Sequence, residues 1–123
     1  MDFENWQTQL RKGLLDIAAL NLLQHEECHG YEMVRRLKRL KGLDVREGNI
    51  YPVLARLQSD GLVQTYALAS RGGPPRKYYK LTETGEMALR QMNAHWDSLV
   101  SSMNRLRSEG TGKWTGKTGT GEI

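Results

Sequence analysis

The chain has 123 residues, 38% of them hydrophobic, and a formal net charge of +4, which suits one domain of modest core. No apolar run approaches the roughly 18 residues of a membrane span, and the opening "MDFENWQTQLRKG" carries acid where a secretory leader carries base, so neither a membrane nor a secreted protein is expected. One cysteine, Cys28, offers no disulfide framework and fits a reducing cytoplasm.

The charge is unevenly spread: residues 1–29 are net −3, residues 30–82 net +7 and residues 83–123 net zero. A basic block between acidic and neutral flanks is the footprint of a surface for a polyanion, although an ordinary solvated Lys/Arg face has the same composition.

In chain order, Asn5 to Gln24 reads as a helix with Leu10, Leu14, Ile17 and Leu20 or Asn21 as its stripe. Leu15, Ala18, Ala19, Leu22 and Leu23 widen the apolar surface beyond one stripe. A partner subunit is therefore a reasonable cover for part of it. "HEECHG" (25–30) breaks the pattern as a turn. A second helix is predicted from Tyr31 to Lys41, with Met33, Val34, Leu37 and Leu40 inward and Gly42 as its stop.

A third helix lies between about Arg46 and Ser59, with Ile50, Val53, Leu54 and Leu57 at i, i+3, i+4, i+7. Its start is open. Asp44 and Glu47 have capping-box-like spacing, whereas Asn49 could cap a shorter helix in which Pro52 costs no hydrogen bond. "GLVQTYAL" (61–68) and "RKYYKLT" (76–82) read as strands, and the loop "ASRGGPP" (69–75) joins them into a two-stranded hairpin with a basic tip.

Thr82 suits the N-cap of a last helix reaching about Ser108. Leu89, Met92, Trp96, Leu99, Met103 and Leu106 form its heptad seam, which calls for association with another chain or packing onto the first helix. The glycine- and threonine-rich tail, with Trp114, is expected to be disordered. The domain reading is thus 1–82 for a DNA-binding domain, 83–108 for a dimerisation helix and 109–123 for the tail.

Helix, helix, helix, hairpin, helix is the layout of a winged helix-turn-helix: mainly α with a two-stranded β-wing. Its third helix is narrow enough for a major groove, held by its apolar stripe. Arg46, Asn49, Tyr51 and Arg56 then face outward toward bases and phosphates, with Tyr51 equally suited to packing. Arg35 and Lys38 of the second helix, with Arg71, Arg76 and Lys77 of the wing, can neutralise phosphates.

Three motifs carry a family resemblance: "HGYEM" (29–33), "GNIYPVLARLQSDGLV" (48–63) and "PRKYYKLTETG" (75–85). Together, and in this order, they resemble the PadR-like transcriptional regulators across about residues 10 to 106. The family's usual Thr, Glu and first wing arginine are Asn49, Gln58 and Pro75 here, and Arg46 stands where a capping serine is common. The resemblance implies a homodimeric repressor on an inverted-repeat operator of double-stranded DNA, joined through its N- and C-terminal helices, without cofactor.

Within the motifs, Tyr31, Leu54, Leu57, Leu62, Val63 and Leu81 are expected in the core, and Tyr79 as a support of the wing. The single short C-terminal helix is similar to that of multidrug-sensing members, which implies a small aromatic effector stacked on Trp96. Met92, Leu99, Val100, Leu15 and Ala19 would line that site; the plainer reading makes Trp96 a dimer anchor.

His25, Cys28 and His29 are soft ligand types, but a single short cluster without a second makes a metal or thiol sensor a weak reading beside a plain turn. No catalytic set stands out, so an enzyme is not expected. A rival class is a winged-helix protein-interaction module whose basic face meets protein instead of DNA.

Overall fold

A computed structural model of the chain describes residues 1–109, so the tail and Trp114 lie outside the described residues. The chain divides into two compact units, Met1–Met92 and Asn93–Ile123, with the division inside the last helix.

In the first unit, α1 (Phe3–His25) begins at Asp2, whose side chain accepts from the Asn5 N–H at 3.1 Å. Its buried face is Leu15, Ala19, Leu20 and Leu23. Of the stripe expected from spacing only Leu20 is fully buried; the rest of this face comes from the wider apolar set, Leu15, Ala19 and Leu23. Leu10 is 52% exposed, as are Phe3 (58%) and Trp6 (49%), while Leu14 and Ile17 are half-buried. This helix has two apolar faces, and its own unit covers one.

Next come a two-residue strand β1 (Cys28–His29) and helix α2 (Gly30–Leu37). The turn expected at "HEECHG" is corrected here: Cys28 and His29 pair antiparallel with Tyr79 and Tyr78. The helix α2 ends earlier than expected. Beyond Leu37 its bonds shorten to i→i+3, Arg39 to Arg36 and Leu40 to Leu37. Leu40 leaves the stripe and is 50% exposed.

Helix α3 (Glu47–Ser59) starts early, capped at Arg46 without a side-chain bond; neither the Asp44 box nor the Asn49 cap forms. Pro52 therefore sits inside the helix and forfeits one backbone bond. The expected stripe of Ile50, Val53, Leu54 and Leu57 is buried. At the far end Leu62 N–H donates to the Leu57 carbonyl and Gly61 N–H to that of Gln58. This is a Schellman stop, with Gly61 at φ +76° as that turn requires.

Strands β2 (Val63–Ser70) and β3 (Gly73–Leu81) form the hairpin, longer than expected and with a tighter tip. With β1 they make a three-stranded antiparallel sheet in the order β1-β3-β2, which corrects the two-stranded wing. Pro74 and Pro75 fall inside β3 because the register shifts between Leu68 and Ser70, where ladder bonds are not required of them. The core joins α1, α2, α3 and the sheet base, and includes Cys28, Val45 and Tyr79. Tyr31, expected inside, is 54% exposed: it sits one position after Gly30 and turns outward while Met33 and Val34 take the inner face.

Helix α4 (Glu83–Glu109) begins at Thr82, whose hydroxyl accepts from Gly85 N–H at 2.9 Å and donates to the Gly61 carbonyl at 2.6 Å. Gly85 and Leu89 are buried and Met92 packs against the core. In the second unit, residues 93–109 continue as helix, with Trp96, Leu99, Met103 and Leu106 between 39% and 63% exposed. No described helix is long and apolar enough to cross a membrane.

Candidate nucleic-acid interface

The buried stripe of α3 leaves its other side outward. Arg46, Tyr51 and Arg56 are exposed and Asn49 is half-buried. None of the polar three is unengaged. Arg46 Nη2 lies 3.0 Å from Asp44 Oδ2, Asn49 Nδ2 donates to the Asp44 carbonyl at 3.4 Å, and Arg56 pairs with Asp16 of α1. Tyr51 is 42% exposed. Its ring lies over Gly30, where an added Cβ would come within 2.4 Å of Cε1. Tyr51 thus both packs and faces out, and Gly30 is required for its approach.

The wing is tied to the helices by an aromatic ladder that sequence reading missed. His29 caps α2, its Nδ1 accepting from Glu32 N–H at 3.2 Å. Its ring meets Tyr31 face-on at 6.4 Å and Tyr78 edge-on at 5.3 Å, and Tyr78 stacks on Tyr66 at 5.7 Å. The Tyr66 hydroxyl donates to Glu27 at 2.6 Å, and that bond pushes the phenol up to about 12. Arg76 Nη1 lies 3.0 Å from His29 Nε2. Burial, then Arg76, hold the His29 pKa below its ordinary value.

The predicted wing cations are all exposed. Arg71 stands at the tip, Arg76 against His29, and Lys77 Nζ 5.8 Å from the centre of the Tyr79 ring. Tyr79 itself is 6% exposed, the support expected of it. On α2, Lys38 is exposed and Arg35 pairs with Glu32 at 3.4 Å. A further basic contribution comes from α1: Arg11 and Lys12 line a groove with Gly48, Asn49, Pro52 and Arg56 of α3. The structure thus brings Arg11 and Lys12 of α1 to α3, and Arg76 and Lys77 of the wing to Gly30 and Tyr51. Helical periodicity could have flagged Arg11 and Lys12 only once α1's inward face was known.

The shape and charge are those of a winged helix, and a comparison decides the family. Residues 19–91 match the model of the transcriptional regulator PadR-like family. The chain belongs to that family. PadR-like proteins are regulators of transcription, not enzymes.

A PadR-like transcription factor from Bacteroides fragilis is 39% identical, with a TM-score of 0.69 over 83% of this chain and 98% of that one. A PadR-like regulator from Bacillus cereus is 36% identical, with a TM-score of 0.73 over 80% and 95%. A transcriptional regulator of Mycobacterium tuberculosis is 30% identical over 78% of this chain and 91% of its own length.

Two other expectations meet this PadR-like structure differently. Of the ligand-facing set, Leu15 and Ala19 are 6% and 0% exposed. They lie in the first unit's own core. Trp96 and Leu99 are exposed and Val100 half-buried. Cys28 is 2% exposed and burial pushes its thiol up to about 11, which leaves almost no thiolate for redox sensing. Among the described residues no three His, Cys, Asp or Glu side chains converge on a metal position.

Proposed function

We propose that the protein is a cytoplasmic homodimeric repressor that places α3 of each subunit in the major groove of one half-site of an inverted repeat. The observation that supports it is the division of labour on α3. Ile50, Val53, Leu54 and Leu57 anchor the helix, while Arg46, Asn49, Tyr51 and Arg56 face out beside the cations of the wing and α2. Fluorescence anisotropy on random and inverted-repeat duplexes at rising salt tests it. A protein that neutralises six to ten phosphates loses about 10³–10⁵ in affinity as salt rises from 50 to 200 mM. Absence of binding at low salt would overturn it in favour of a protein-interaction role.

Dimerisation is assigned to two apolar surfaces that their own units leave open. These are Phe3, Trp6 and Leu10 on α1, and Trp96, Leu99, Met103 and Leu106 on α4. A large ring at a seam position packs imperfectly against its symmetry mate. Trp96, Leu99 and Val100 accordingly form the site for a planar aromatic effector. Such a ligand releases DNA only if it binds one dimer shape better than the other. A planar dye that quenches tryptophan emission in wild type and equally in Trp96→Ala would remove this assignment.

A further inference from the structure

Asp44 is the one non-glycine residue among those described with a positive φ, 47°. Its neighbour Val45 is 2% exposed and anchors the turn in the core. From that fixed point Asp44 reaches three polar groups. Its Oδ2 lies 3.0 Å from Arg46 Nη2 and 3.7 Å from Arg11 Nη1, and its carbonyl accepts from Asn49 Nδ2 at 3.4 Å. One residue thus engages α1 and two polar side chains at the start of α3, Arg46 and Asn49.

We propose that Asp44 is a positioning residue that sets sequence specificity; this rests on the DNA-binding reading above. Its carboxylate is an anion on a surface meant for an anion, and it repels every duplex alike. Arg46 leaves its single contact with that carboxylate at little loss only when a guanine edge offers a two-pronged partner in return. A lone phosphate oxygen compensates less well. Asn49, held at its amide nitrogen by the same turn, enters the groove in one orientation. Specificity is a difference of affinities, and Asp44 lowers the weaker of the two more than the stronger.

The test uses the full-length protein on two probes, a random-sequence duplex and the duplex that wild type selects from a randomised pool. Asp44→Asn keeps a side chain tolerant of the left-handed backbone and removes the charge, and Asp44→Gly suits the same φ without a side chain. Both should bind the random duplex about three- to tenfold more tightly, since each exposed pair released is worth up to several-fold. The salt slope should steepen by about one to two phosphate contacts. The selected-to-random ratio should fall. Adding Arg46→Ala and Arg11→Ala to Asp44→Asn should return the random-duplex affinity to wild type or below.

Unchanged affinities and slope in both single variants overturn the inference. So does an equal loss on both probes with a lowered Tm, which marks a purely structural role. If wild type binds neither probe at low salt, the DNA-binding reading itself falls, and this inference with it.

Discussion

Residues 1–92 and the helical stretch 93–109 differ in how they use apolar side chains. The first unit closes a core of sixteen buried hydrophobic residues around Leu20, Met33, Ile50 and Leu54. The second has no buried residue in its described part, yet it carries Trp96, Leu99, Met103 and Leu106 at three- and four-residue steps. Periodicity alone therefore does not distinguish a stripe that folds a subunit from one that recruits another. Burial does. The first kind of stripe stabilises a monomer; the second, in the dimer proposed above, would act only at a concentration where two chains meet.

The largest expected effect breaks the first unit at Gly85. A Cβ there would lie 1.9 Å from the Leu62 carbonyl oxygen, backbone against backbone. Gly85→Ala should cost about 3 kcal/mol or more and lower Tm steeply. Gly13→Ala in α1, which meets nothing within 4 Å, is its control and should stabilise by about 0.5–1 kcal/mol. Equal melting of the two variants would contradict the close approach.

Next comes Leu20→Ala, fully buried, at about 2–5 kcal/mol in denaturant titration. Truncating exposed Leu99 to Ala should instead leave monomer stability within about 0.5 kcal/mol. The contrast sharpens with Leu99→Glu combined with Met103→Glu. Sedimentation should show the dimer constant weakened by tenfold or more while the first unit stays folded. A dimer of unaltered affinity would move the interface elsewhere.

The smallest effect concerns pH. The folded His29 pKa lies below the ordinary value near 6.5, so the unfolded chain binds the proton more readily. The stability His29 contributes is complete above about pH 6.5 and is lost as pH falls through the folded pKa. Protonation would remove the α2 cap acceptor and set a second positive charge against Arg76, with Arg35 nearby and Glu32 opposing. Between about pH 7.5 and 5.5, Tm should fall more steeply in wild type than in His29→Asn, which keeps a cap but does not titrate. Parallel curves would exclude this role.

Much of this was legible from residue spacing, and the misses share a cause. The stripe of α3, the hairpin and the Thr82 cap follow local rules, and they appear as expected. The strand β1 does not: two residues have no periodicity, and Cys28 and His29 become a strand only because Tyr78 and Tyr79 arrive beside them. The inward face of α1 follows from spacing only at Leu20, because that helix is apolar on two sides and only tertiary packing chooses between them. The outward side chains of α3 follow from its buried stripe. Their partners Asp44 and Asp16 do not, because each pairing depends on the turn or helix brought next to α3 by folding.

The two prolines of the wing have a consequence for how the protein behaves at high concentration. From Gly73 to Lys77 one side of β3 lies beyond the reach of β1, and an open strand flank of that kind invites a neighbouring molecule to add its own strand. Pro74 and Pro75 offer no amide hydrogen along it, and Arg76 and Lys77 charge the remainder. The wing is thereby guarded against sticking to its own kind.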